Sequence, residues 1–276
     1  TISAAMTEKN KVLALVWNYP QEIFRAFDSV EVLTYLFEES LFKAYLRIHG
    51  FSYSMPISYT EHLFIQKVKS FITVYDGDKL NEIGDGDFDL SQNWFVRDKK
   101  KGTGLRHKLK QNTVNFFRQE GTKSIQNAFS VYVDYQTDIE GRGYTKYKFD
   151  EKKNEKVNEC FIAINARATN DYSHKTTIAY LINRLYDKRL LSYFNQNNVK
   201  VSQDGLALSE LVQLIFRGNI RNMNKIYADG TPVDASMMLY IPSKRMRDLF
   251  TGWLSQTQAD VRRYRNSGTK RKNVQK

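Results

Sequence analysis

Apolar runs of strand length recur along this chain, separated by stretches with helical periodicity, and that alternation limits the folds open to it. Residues 11–17 form a compact apolar run, Pro20 opens a short helix through Phe27, and residues 29–37 read as a buried strand. Residues 38–49 predict a helix with acidic residues in its first turn, where they suit the dipole, and Gly50 as its stop. Residues 71–75 predict a further strand, followed by an acidic loop over 76–89. Strand–helix alternation favours an α/β layer, because each helix returns the chain to start the next strand in the same direction.

The middle, residues 97–159, reads as a basic helical or irregular insertion. Residues 108–119 suit an amphipathic helix, 125–135 suit either helix or strand, 141–144 carry a glycine turn, and 146–156 are charged enough for a mobile loop. The pattern sharpens at residues 160–164, a short strand that runs into the polar loop 165–172. A helix carrying Ile178, Leu181, Ile182 and Leu185 is expected next. A strand ending in a polar loop before a helix is where α/β folds usually place ligand contacts. Residues 237–242 predict a strand, and Ser243 can cap a final helix that buries Met246, Leu249, Phe250, Trp253 and Leu254.

Residues 207–221 predict one continuous helix. Leu208, Leu211, Val212 and Ile215 share a face, while Gln213, Arg217 and Arg221 recur every fourth residue on the opposite side. A row of one amide and two guanidiniums suits phosphate oxygens, since arginine keeps its charge and offers a planar fork of donors. The alternative is a solvated polar face on an ordinary core helix.

With 276 residues and 41% hydrophobic content, the chain can bury one or two cores. No run of eighteen apolar residues exists, so no membrane span is expected. It begins at Thr1 without a charged-then-apolar leader, as expected of a fragment or processed piece. Cys160 is the single cysteine, which excludes a disulfide framework or a cysteine-rich zinc site and fits a reducing, cytoplasmic location. Residues 1–95 hold 8 Lys and Arg against 13 Asp and Glu, whereas residues 96–276 hold 34 against 17. That asymmetry points to a polyanion such as nucleic acid, and the basic stretch 261–276 reads as a disordered arm.

A complete NTPase motif set is missing. The nearest phosphate-loop candidate, 101–107, lacks the Gly-Lys-Thr ending, and no apolar strand ends in paired acids. Asp85, Asp87 and Asp89 alternate, yet an EF-hand would need glycine at Leu90 and glutamate at Val96, which leaves a metal-dependent nuclease site or a solvated turn. The four histidines have no metal-ligand spacing, and Cys160 suits a small strand hydrophobe. Tyr144, Tyr147 and Tyr172 lie in basic or polar loops, from which they could stack on bases.

The 165–172 loop, the Gln213/Arg217/Arg221 row and the closing Tyr240-Ile-Pro-Ser-Lys-Arg-Met-Arg-Asp-Leu249 together resemble the C-terminal part of superfamily 2 type helicases encoded by bacteriophages and mobile elements. Residues 32–38 resemble a further segment of those proteins, and the likeness covers most of the chain in scattered blocks. It implies a RecA-like lobe, with a mainly parallel sheet flanked by helices, over residues 61–260. Residues 1–60 would then be the end of a first lobe or the lobe-coupling region, with Thr34 at the coupling point. Asn165, Arg167, Thr169, Asn170 and Tyr172 would contact nucleic acid, DNA rather than RNA, while Gln213, Arg217 and Arg221 would act on ATP. ATP and magnesium would be held mainly by an N-terminal ATPase lobe of the same protein. Two departures stand out: the phosphate loop and acidic magnesium motif are absent, and residues 222–236 separate the arginine segment from its strand by more than expected. A non-catalytic DNA- or RNA-binding replication protein is the competing reading.

Overall fold

The computed structural model describes residues 2–6, 13–55, 60–151, 154–166 and 170–260. In chain order the elements are β1 (Ile2–Met6), β2 (Leu13–Trp17), α1 (Glu22–Arg25), α2 (Leu41–Ile48), α3 (Glu61–Phe71), β3 (Ile72–Val74), α4 (Asp78–Asn81), α5 (Gln92–Lys101) and α6 (Leu105–Gln119). Then come β4 (Asn127–Ser130), α7 (Gln136–Ile139), β5 (Tyr147–Asp150), β6 (Glu155–Asn158), β7 (Thr177–Tyr180), α8 (Lys188–Gln196), α9 (Gln203–Ile215), β8 (Met237–Tyr240) and α10 (Lys244–Leu254). The chain divides into two units, residues 1–58 with 185–209 and residues 59–184 with 210–276.

In the smaller unit β1 and β2 pair antiparallel, with Ile2 opposite Trp17. The hydroxyl of Ser40 accepts from the Lys43 amide at 3.1 Å and caps α2, and Phe37, Tyr45 and Leu46 form a small core with Phe24, Phe42, Phe51 and Tyr53. Residues 29–34 are irregular rather than the buried strand their apolar content suggests, and Leu33 is 95% exposed. Apolar alternation yields a strand only where a sheet edge is there to pair with it. Here Leu36 at φ +53 turns the chain into a short 3₁₀ turn instead.

The larger unit is built on a four-stranded sheet in the order β3-β8-β7-β4, with every neighbouring pair parallel. β4 and β7 are buried along their whole length, as expected of parallel strands covered on both faces. Helices flank the sheet. Phe116 of α6 stacks on Tyr240 with centroids 5.0 Å apart, and Phe117 meets Tyr144, which in turn packs edge-on to Phe129. Ser243 accepts from the Met246 amide to start α10, which buries Met246, Phe250, Trp253 and Leu254 and packs against α3. None of the described helices is long and apolar enough to cross a membrane.

Four expectations for this unit need correction. Of the residues expected as a helix from Ile178 onward, Ile178 lies in β7 and Leu181, Ile182 and Leu185 follow it in irregular chain, because a short, wholly buried strand is as continuously apolar as a buried helix segment. Residues 160–164 contribute only a bridge from Phe161 to Phe129 at the sheet edge. The charged stretch 146–156 lies mostly in the antiparallel β5–β6 hairpin, whose ladder pairs Tyr147 with Asn158 and Phe149 with Lys156, so a charged, exposed composition does not keep the backbone from pairing as strands. The helix expected over 207–221 ends at Ile215, leaving Arg217 in a turn and Arg221 in a 3₁₀ turn.

Gly218 explains that last break. A Cβ at this position would lie 2.6 Å from Met237 Cε, 3.0 Å from Ile178 Cδ1 and 3.1 Å from the Lys175 carbonyl oxygen. The backbone therefore passes directly over the starts of β7 and β8, which a continuing helix with side chains could not do. Beneath it Lys175 is fully buried, its Nζ donating to the Ile125 carbonyl at 2.9 Å. Burial holds the Lys175 ammonium below its ordinary pKa.

Gly218→Ala is expected to cost about 1–3 kcal/mol by overpacking. Gly252→Ala, in an open position on α10, should gain roughly 0.5–1 kcal/mol. Denaturant midpoints of the two variants moving in the same direction would contradict this packing. Lys175 adds a pH dependence of definite sign. Its folded pKa lies below the unfolded 10.5, so between the two values the unfolded chain binds more protons and stability rises with pH. Relative to Lys175→Met, the wild type should gain stability as pH climbs toward 10.5; parallel curves would show an unshifted lysine.

Candidate functional site

Parallel α/β sheets usually hold ligands beyond the carboxyl ends of their strands, but here that rim is covered by the chain itself. Asn183, just past β7, donates its amide Nδ2 to the Asp87 carbonyl at 2.8 Å and its backbone N–H to the Leu90 carbonyl at 2.9 Å. Its Oδ1 accepts from Arg245 at 2.9 Å, and its carbonyl accepts from the Tyr132 hydroxyl at 3.0 Å. Residues 84–91 close over this end, with Leu90 fully buried at φ +59. Asp85, Asp87 and Asp89 belong to that cover, where Asp89 accepts from the Gly86 amide at 2.9 Å. Among the described residues no three His, Cys, Asp or Glu are grouped to hold a metal ion.

The opposite rim, where the strands begin, gathers the residues singled out in the sequence. Asn219 donates its backbone N–H to the Lys175 carbonyl at 2.9 Å and its side-chain amide to the carbonyls of Asp234 and Ser236 at 2.9 and 3.2 Å. Asn222 donates to the Ser173 carbonyl at 2.8 Å and to Asn219 Oδ1 at 2.9 Å. Two buried asparagines thus tie the end of the 165–172 loop, the arginine segment and the approach to β8 into one scaffold.

On that scaffold Arg221 donates a guanidinium hydrogen bond to Asn170 Oδ1. Asn170 is neutral, so it orients the guanidinium without cancelling its charge. Tyr172 donates its hydroxyl to the Phe161 carbonyl at 3.2 Å. Burial, followed by the Asp171 carboxylate, pushes its pKa up, while the positive charge of Arg217 pulls the other way. Arg217 therefore acts on the same loop that Arg221 touches. His174 is held low, first by burial and then by Lys175.

Asn170, Tyr172, Arg217 and Arg221 are accordingly brought together, although 45 or more residues of sequence separate the pairs. Arg221 and Asn170 are exposed, and Arg217 and Tyr172 are half-buried. Gln213 is exposed on α9 but shares no helical ladder with the arginines, because α9 ends before them. Asn165 is exposed in the turn after Ile164, and no hydrogen bond ties it to the arginines among the described residues. Arg167 and Thr169 lie outside the described residues, as does the basic stretch 261–276. Thr34 belongs to the smaller unit and is exposed in its irregular segment. Tyr144 is fully buried against Phe117 and Phe129, so it cannot stack on a base. Cys160 is buried, and its thiol is pushed up by that burial.

Sequence reasoning missed the residues that make this arrangement possible: Gly218, Asn219, Asn222 and Lys175. One signal was available, since a glycine inside a helical pattern marks a break or a close backbone approach. Nothing in the spacing of the asparagines announced their roles.

Comparison with known proteins agrees with this geometry at the level of fold. Residues 66–254 match the family described as the YonV C-terminal Rossmann-like domain. The SPbeta prophage-derived protein YonV of Bacillus subtilis (strain 168) is 32% identical over an alignment of 273 residues, and the match covers 92% of this chain and 60% of that protein. The chain thus spans three fifths of the length of the relative it matches. No solved structure matches it significantly. With its parallel sheet, flanking helices and prophage relative, the chain belongs to the YonV C-terminal Rossmann-like domain family.

Proposed function

We propose that this chain is the C-terminal portion of an ATP-dependent nucleic-acid translocase of helicase type, supplying guanidiniums to a nucleotide held mainly by another lobe. The observation that carries the reading is the contact between Arg221 and Asn170, with the positive charge of Arg217 felt at Tyr172. The helicase resemblance assigns both segments to nucleotide or nucleic acid, and the Arg221–Asn170 hydrogen bond between them supports that reading. A guanidinium delivered across a cleft stabilises charge on a transferring phosphoryl group, worth roughly three to five orders of magnitude in rate in known systems. Asn170 acts as a positioning residue for Arg221, and the segment that carries it would touch the nucleic acid, DNA in the first instance. Coupling the two contacts through one scaffold would let strand engagement and hydrolysis respond to each other. Magnesium and the phosphates would be cradled elsewhere, since this chain carries neither a phosphate loop nor an acidic metal group among its described residues.

In the polypeptide that also carries the nucleotide-cradling lobe, Arg217→Ala or Arg221→Ala is expected to lower nucleic-acid-stimulated ATPase by about 10³-fold or more. Strand affinity should change little in either variant. Asn170→Ala should give a smaller loss of turnover. Wild-type turnover in both arginine variants would remove the reading, and DNA binding indifferent to nucleotide would favour a non-catalytic binding protein.

A further inference from the structure

The elbow between α5 and α6 carries a charge concentration that the arginine rim does not explain. Arg97, Lys99, Lys100 and Lys101 are exposed in the last turns of α5, and His107 and Lys108 are exposed at the start of α6. Among the described residues no ion pair involves Arg97, Lys99, Lys100 or Lys101. Lys99 lies 5.9 Å from the ring centroid of Tyr135. Among the described residues, the carboxylates in ion pairs with the elbow are Asp98 and Asp138 on Arg106 and Glu82 at 3.4 Å from Lys108.

The elbow is also rigid and open. Asp98 is 3% exposed and accepts from the Thr103 hydroxyl, the Leu105 amide at 2.9 Å, the Arg106 amide at 3.3 Å and Arg106 Nε at 2.6 Å. Gly102 and Gly104 both take left-handed φ values, +61 and +78, and a Cβ on either would meet no atom within 4 Å. Backbone with no side chain in front of it, between two sets of cations, allows close approach by a phosphate. Position separates this surface from the arginine rim. Glu82 follows β3 and Asp138 follows β4, so the elbow sits at the carboxyl ends of the strands, whereas Arg217 and Arg221 sit where the strands begin.

We propose that the α5–α6 elbow, Arg97 to Lys108, is a docking surface for the phosphate backbone of a nucleic acid. It is a second contact on the face opposite the arginine rim, and it does not depend on ATP or on the helicase reading. Recognition rests on charge and backbone approach, so it is indifferent to base sequence. An anionic membrane is a poorer occupant, because surface binding of that kind needs an exposed apolar face. The large apolar residues of α5, Trp94 and Phe95, are buried, and the exposure of Leu105 at the start of α6 is too small an apolar surface for such a face.

The test is the salt dependence of binding of a labelled single-stranded oligonucleotide to the 276-residue chain. The triple variant Lys99→Gln, Lys100→Gln, Lys101→Gln should flatten the slope of log K against log salt by about 2, from roughly 0.7 per lost phosphate contact. The corresponding triple Lys→Arg variant should keep the wild-type slope, and cooperative thermal unfolding of both, with at most a small shift in the glutamine variant, confirms intact folding. An unchanged slope in the glutamine variant overturns the proposal, as does wild-type binding to phosphatidylserine vesicles but not to the oligonucleotide. Arg217→Ala and Arg221→Ala in the same assay should leave the elbow's share of the slope in place, so failure of the translocase reading and failure of this one are told apart.

Discussion

The absence of a side chain at residue 218 is the constraint on which the candidate site depends. Because the backbone can lie against the first residues of β7 and β8, the Asn219 amide reaches the Lys175 carbonyl, and the two asparagine side chains can then satisfy three carbonyls on two separate segments. Buried carbonyls left without donors would each cost on the order of 1–3 kcal/mol, so the loop, the arginine turn and the approach to β8 hold or fail together. Arg217 and Arg221 gain fixed positions from this knot rather than from a helix.

Much of the fold was legible because burial leaves marks in composition. The alternation of apolar runs announced a parallel α/β sheet, and the start of α10 at Ser243 with its buried stripe followed from capping and periodicity alone. β7 was misread for a physical reason, since periodicity disappears when every face of a segment is covered. Residues 29–34 failed in the opposite way, with strand-like composition but no edge to pair with. The candidate site was half legible. Residue types and resemblance pointed to Arg217, Arg221, Asn170 and Tyr172, but the expected ladder with Gln213 assumed helix through Gly218, where packing forbids it. The asparagine knot was invisible because its partners are backbone carbonyls, which every residue carries.

The sheet presents two chemically different ends. One is closed over by residues 84–91 and bordered by lysines on the α5–α6 elbow; the other carries an asparagine scaffold with guanidiniums above a buried lysine. The elbow lysines stand in the last turn of α5, where their charge also complements the partial negative charge of the helix terminus. The same residues can thus steady a helix and attract a polyanion.

The strand order carries a consequence for how the chain acquires its structure. β7 sits between β4, which precedes it by some fifty residues, and β8, which follows by about sixty, and β3 attaches only through β8. Neither edge can be closed by local contacts, so loop-closure entropy must be met before the pairing rewards it, and such topologies assemble slowly. During synthesis the sheet stays incomplete until Met237–Tyr240 has left the ribosome. Until then β7 presents an apolar, unpaired edge that invites association with other chains.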